Sequence, residues 1–347
     1  MAYTIGTGNR GIIMKQQTSF GTVGSGTAFF GLIDDESFNT LFDVSARADM
    51  TRYGATTTKT GKRYSEGSIN MALDDSGFTA LLLKGIFPSV STSGSGPYTH
   101  VMTEITHDNG RAAAESFPVY HILIQRDEKE HSYSSMSLNR VGLQANVGEY
   151  VMLSADFVGK AEGEDSITSP ANLSNEGGST VPDAGEPVHF QSAAVNFKNN
   201  GTASTNVRSV SLDIGLNRDV DASFSLGSDT CVREAPPQLR EITGSIEFLA
   251  PLHSTSVDEP LYGDIIDGGT NSLFDPSGTN PAITLTFTAS STTSLVLKIY
   301  KVQWEAPTST VSGRDTQSYS LNFTALFDET TNKKMADLTI INNTATI

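Results

Sequence analysis

The stretch Val207-Arg208-Ser209-Val210-Ser211-Leu212-Asp213-Ile214-Gly215-Leu216 decides the fold class. Val210, Leu212, Ile214 and Leu216 fall on one side, and Ser209, Ser211 and Asp213 on the other. A repeat of two is the mark of an extended strand whose side chains alternate between a core and water. The alternation recurs at Tyr120, Ile122 and Ile124, and at Val151, Leu153, Ala155 and Phe157. It returns in Ile283–Thr288 and in Tyr319–Phe327. All read as half-buried antiparallel strands, and their wet side is Ser, Thr and Asn rather than Lys and Glu.

Composition agrees. The 347 residues include 40 Ser, 39 Thr and 31 Gly, a strand-and-turn mixture. Hydrophobic residues are 37% and charged residues 18% of the chain, an ordinary globular balance. A chain of this length has room for about two domains. The single cysteine, Cys231, excludes a disulfide framework and any Cys-rich metal centre. The net charge is −16, with 13 basic and 19 acidic residues to position 165 and 10 and 20 beyond it. Such a chain gains nothing from phosphate neutralisation, so tight binding of nucleic acid or an anionic membrane is not expected. No run reaches the ~20 apolar residues of a membrane span, and the first residues lack the charged start and apolar run of a signal peptide. Synthesis and folding in a cytoplasm are the expectation, with no membrane anchor.

Two helices are predicted. The better one covers Asp75–Phe87, capped by Asp75 or Ser76, with Phe78, Leu81, Leu82 and Leu83 on its apolar face. The weaker covers Glu259–Ile266, with Pro260 in its first turn. Ala161–Pro187, rich in Gly, Ser, Pro and acid, reads as a linker. The parts on either side share an order of landmarks. Val44-Ser45 matches Val210-Ser211, and Gly67-Ser68-Ile69 matches Gly244-Ser245-Ile246. A helix and three strands follow in each. The expectation is an internal duplication: a first domain at 1–160, a linker at 161–187 and a second domain at 188–347.

No chemical constellation emerges. Gly6-x-Gly8-x-x-Gly11 has the dinucleotide spacing but lacks the strand–turn–helix setting. Gly94-Ser95-Gly96 reads as a turn. The six histidines are scattered, so no metal site is expected. Asp34-Asp35-Glu36 and Asp74-Asp75 are read as turn and capping acids rather than a glycosidase pair. Trp304 is read as a core or interface aromatic rather than a sugar platform. No catalytic, cofactor or metal residues are assigned.

One resemblance adds to this. Gln16-Gln17-Thr18-Ser19-Phe20-Gly21-Thr22, followed by Asp35-Glu36-Ser37-Phe38, opens it. Gly67-Ser68-Ile69, Leu81–Phe87, Tyr98-Thr99-His100 and Leu138–Leu143 continue it, and Ser154–Lys160 closes it. The pattern resembles the major tail tube proteins of long-tailed bacteriophages. It covers Gly11 to Lys160, while the second half keeps the order of elements and few motif residues. The family's early Glu is replaced by Gln17 or Thr18, and its Tyr-x-Gly element survives loosely as Tyr133-Ser134-Ser135.

The resemblance implies a mainly β fold: two tandem tail-tube-type β-sandwich or half-barrel domains, each with a flanking α-helix. It implies a virion structural protein whose copies join sheets into rings, the rings stacking into a hollow tube traversed by DNA. A duplicated chain would need three copies for a pseudo-sixfold ring. Expected partners are further copies of itself and the tape measure, tail tip and terminator proteins, with DNA passing unbound. The basic excess at Arg52, Lys59, Lys62 and Arg63 makes these the expected contacts between rings. Two other classes stand beside this reading. A carbohydrate-binding or adhesive β-sandwich module would show exposed aromatics clustered on one face. A polysaccharide-degrading enzyme would need a carboxylate pair across a cleft.

Overall fold

The computed structural model describes residues 9–22, 27–48, 50–51, 53–105, 116–126, 129–162, 185–197, 203–249, 273–274, 280–306, 308–310, 318–329 and 331–347. Each alternating stretch named above is a strand. In chain order the strands are β1 (Asn9–Gln17), β2 (Ala28–Gly31), β3 (Asp35–Glu36), β4 (Asn39–Ala48) and β5 (Ala55–Ala72). Then come β6 (Ser89–Ser93), β7 (Tyr98–Thr103), β8 (Val119–Arg126), β9 (Lys129–Asn146) and β10 (Met152–Lys160). The second half holds β11 (Ala193–Phe197), β12 (Val207–Gly215), β13 (Glu241–Leu249), β14 (Leu273–Phe274) and β15 (Ile283–Thr288). It ends with β16 (Ser294–Ile299), β17 (Lys301–Trp304), β18 (Thr308–Thr310), β19 (Ser318–Leu326) and β20 (Ala336–Asn342).

The fold is mainly β, of sandwich type, and among the described residues no barrel closes. One α-helix, α1 (Gly77–Lys84), interrupts the described strands. It is shorter than the 75–87 expected. Ser76 is its cap, the side chain accepting from the Thr79 N–H, and Asp74 in turn accepts from the Ser76 hydroxyl at 2.7 Å. Phe78, Leu81 and Leu82 on this helix are fully buried. The second predicted helix, Glu259–Ile266, lies outside the described residues, as does nearly all of the predicted linker.

The strands form two antiparallel sheets. The large one has 14 strands, ordered β14-β17-β19-β13-β12-β9-β10-β5-β3, with β1, β2, β4, β8 and β18 attached to it. The small one has six, ordered β11-β15-β16-β20-β7-β6. Both cross from the first half of the chain to the second. In the large sheet β12 pairs with β9 from Ser209↔Asn146 to Gly215↔Arg140. In the small sheet β20 pairs with β7 from Asp337↔Thr103 to Asn342↔Tyr98. One cluster of buried side chains, including Leu143, Leu153, Leu212, Leu285, Leu297 and Phe323, runs through both halves.

Pairing repeats along the chain. In the first half the neighbours run β1–β8–β9–β10–β5–β4. In the second they run β11–β15–β16, continued past Tyr300 by β17, then β19–β13–β12. The two Gly-Ser-Ile landmarks hold equivalent places: Gly67 stands opposite Phe157, and Gly244 opposite Phe323. The Val-Ser landmark does not. Val210 pairs with Ile246, whereas the equivalent Ile69 pairs with Glu36, and Val44 pairs further out with Thr60. Local alternation matched those dipeptides; register separates them.

The end of the predicted linker is not a clean break either. Val188 donates to the Leu73 carbonyl at 2.8 Å and accepts from Val151 at 2.9 Å, so the chain re-enters inside the first half's packing.

Candidate functional site: the polar face of the large sheet

A strand buried on one side presents the other to whatever the protein faces. In the large sheet the two sides separate completely across the seam between the halves. Leu143, Leu153, Leu212, Gly244, Phe323 and Trp304 make one core rung across β9, β10, β12, β13, β19 and β17. One residue along, the rung is polar: Asp35, Asn70, Ser154, Gly142, Asp213, Thr243, Thr324 and Gln303 stand side by side on eight strands. The next polar rung runs Gln144, Ser211, Ser245 and Asn322, and a third Ser209, Glu247 and Ser320. No side chain in these rungs is in the buried core.

Hydroxyl and amide side chains at this spacing hydrogen-bond water and each other without fixed charge. The fixed charge on this face is mostly negative. Asp35, Asp156, Asp213 and Glu247 share it. Arg140 is the guanidinium at its centre, with Asp213 Oδ1 at 2.7 Å from its Nε and Asp156 Oδ2 at 3.8 Å from its Nη1. Its hydrogen bond to Asp213 raises its pKa further.

The residues singled out for inter-ring contact sit elsewhere, on the hairpin of β4 and β5. Arg52 lies outside the described residues. Lys59 is exposed on β5 opposite Ser45. Lys62 is engaged within the chain: its Nζ is 2.7 Å from Asp221 Oδ1 and 5.5 Å from the Phe224 ring centre. Arg63 donates its backbone N–H to the Asp229 carbonyl at 2.6 Å, with its guanidinium 3.9 Å from that carboxylate. These two residues hold the second half's long excursion against β5. Sequence reasoning missed that apolar groups of this arm are exposed as well. Phe42 and Val44 are more than half exposed, and Met50 and Tyr53 fully so.

Gly6 and Gly8 of the glycine motif lie outside the described residues; the other discounted groups have places in the packing. Asp74 braces the Ser76 cap of α1, and Glu36 binds Arg126 through two contacts of 2.7 and 2.6 Å. Trp304 is buried at 3% exposure, its ring set edge-on to Phe323 at 5.3 Å. Gly94 and Gly96 turn the chain between β6 and β7 with φ of 100° and 101°, values that only glycine adopts freely. Cys231 is a buried free thiol. Among the described residues no His, Cys, Asp or Glu group is arranged to hold a metal, and no helix is long and apolar enough to cross a membrane.

Compared with known proteins, residues 8–325 match the family model described as phage tail tube protein. No curated protein matches the chain.

Proposed function

The chain belongs to the phage tail tube protein family, and from that premise we propose that its copies assemble into stacked rings whose bore is lined by the polar face of the large sheet. Family membership makes it a structural component of a bacteriophage tail. The finer reading is ours. The chain is an internal duplication, its halves being two tube modules at 1–160 and 188–347. Three copies complete a pseudo-sixfold ring, head to tail, a contact type that closes by rotation. DNA passes through the bore during ejection. The tape measure, tail tip and terminator proteins are its other partners in the virion.

One observation carries this reading: the polar face, none of whose named residues is buried, is continuous across both halves, through the β9–β12 seam. A module that used only its own sheet would have no reason to extend a wet face into a second. Duplex DNA carries one charge per ~1.7 Å of axis. A wall of hydroxyls, amides and carboxylates repels or ignores that charge, where a basic wall would hold it. The β4–β5 hairpin supports stacking. It projects as a two-stranded ribbon exposed from Phe42 to Ala48, and such a ribbon is marginal alone. Lys59 and Arg52 remain the candidate contacts with the next ring, and Lys62 and Arg63 act through the excursion they hold.

Electron microscopy of the purified protein at rising concentration tests the reading. Rings and tubes with a central channel are expected. Dispersed monomers at every concentration, together with retention on a glycan column, would return it to the carbohydrate-binding class. Trp304, the aromatic that the sequence offered to that class, is in the core.

A further inference from the structure

The central guanidinium of the polar face is already occupied, and by groups from both halves of the chain. Arg140 of β9 stands opposite Asp156 of β10 on one side and Gly215 of β12 on the other. Its Nε lies 2.7 Å from each carboxylate oxygen of Asp213, and its Nη2 also donates to Asp213. Its Nη1 lies 3.8 Å from Asp156 Oδ2. Glu241 lines the same cleft, of about 240 Å³. The three side chains are 54%, 31% and 43% exposed, so the cluster faces solvent rather than filling the core.

An exposed pair of this kind adds little to stability, because water already solvates both charges. Its geometry does something else. A guanidinium is the side chain best shaped to grip phosphate in two places, and a free one on a surface passed by duplex DNA would do so. Two carboxylates around one guanidinium leave the cluster net negative.

We propose that Asp213 and Asp156 occupy Arg140 so that the seam is stapled on the bore side without leaving a cation free to hold passing phosphate. This inference rests on the reading that the polar face lines the bore. With three copies per ring, unmasking Arg140 would line the tube with columns of phosphate-gripping groups.

The test compares tubes of the unaltered protein, of D156N/D213N, and of R140Q/D156N/D213N, each mixed with a short fluorescent DNA duplex and pelleted. A fourth sample, S245R, adds a guanidinium on the same face without touching the cluster. Unaltered and triple-variant tubes should retain background DNA only. D156N/D213N should retain several-fold more at low salt, the retention falling with a log–log slope of about −0.9 per phosphate engaged. Retention by S245R but not by D156N/D213N overturns the proposal and leaves the bore assignment standing. Retention that persists in the triple variant also overturns it, because lost negative charge would then be the cause. Background retention by S245R defeats the bore assignment itself. If D156N/D213N does not assemble, D213N alone carries the same expectation with less DNA held. Assembly of the triple variant but of neither of these would place the cluster's work in the seam and overturn the proposal.

Discussion

At the scale of single residues, the buried and half-buried ion pairs tie distant segments together. Glu104, at the end of β7, accepts from the N–H groups of Met335 and Ala336 and lies 2.9 Å from Arg240 Nη1. Arg240 also donates to the Ile86 carbonyl and sits 4.9 Å over the Phe87 ring. Four segments from both halves therefore meet on one pair. Removing one charge leaves the other buried and uncompensated, which costs about 3–5 kcal/mol. Glu104→Gln should lower the urea midpoint accordingly, and E104Q/R240M should recover part of the loss. A loss in E104Q/R240M equal to the sum of the losses in E104Q and R240M would show that the charges are independent. Glu36 predicts the acid limb of stability. Burial alone would raise its pKa, but the hydrogen bonds from Arg126 and the Phe38 N–H, with Arg126's charge, bring it below the ordinary 4.5. The folded state thus holds this proton less tightly than the unfolded chain does. Its contribution is present above the ordinary glutamate range and is lost as pH falls through the depressed value. A pH series of unfolding midpoints should therefore drop less steeply below the ordinary range in Glu36→Gln than in the unaltered protein.

Single elements show what was legible beforehand. The strands around Val210, Leu285, Phe323 and Ile122 were visible because alternation is a local property of the chain. The cap at Ser76 was visible for the same reason. Partners were not. Lys62 meets a carboxylate 159 residues away, and a charge carries no local sign of whether it will face water, another copy or a distant loop of its own chain. The polar face was legible as Ser and Thr alternation, but its continuity was not. An edge strand bound to a neighbour and one bound to water have the same side-chain pattern. The Gly-Ser-Ile elements have a sharp packing requirement. A Cβ on Gly244 would sit 2.5 Å from the Phe323 ring and 2.7 Å from the Ser211 carbonyl oxygen. One on Gly67 would sit 2.6 Å from the Phe38 Cα. Backbone atoms cannot swing aside, so Gly67→Ala and Gly244→Ala should each cost about 1–3 kcal/mol in chemical unfolding. A neutral result at either would disprove that close approach. The hairpin of β4 and β5 separates two roles among its cations. R52E/K59E should slow polymerisation followed by light scattering and leave the monomer's thermal midpoint unchanged. K62E/R63E should lower the midpoint too, since both residues hold the 219–231 segment. Identical behaviour of the two pairs would refute the division.

For the molecule as a whole, the repeated pairing order and the shared core make opposite predictions about unfolding. If each half were a self-sufficient module on a tether, two transitions would be expected, one per module. The seams argue otherwise. Pairing of β9 with β12 buries Leu143 against Leu212 and Val141 against Ile214 in the middle of the large sheet. Pairing of β7 with β20 closes the small sheet across the same boundary. Separating the halves would strip both sheets of a neighbour and open an apolar rung to water, at roughly 25 cal/mol for every Å² exposed. Loss of either half should therefore take the other with it. Scanning calorimetry of the monomer, at concentrations below polymerisation, should therefore give one peak whose calorimetric and van't Hoff enthalpies agree. Leu143→Ala, a cavity in the seam, should shift that single peak down without splitting it, by the 2–5 kcal/mol typical of a buried leucine. Two resolved peaks, or a split on weakening the seam, would mean that the halves fold independently and that the continuous sheet is a docking of finished parts. A single peak has a consequence for assembly. In the ring we propose, a chain whose halves are already fused into one sheet would present a third of the circle, so closure would need three such pieces to meet at three seams rather than six modules at six.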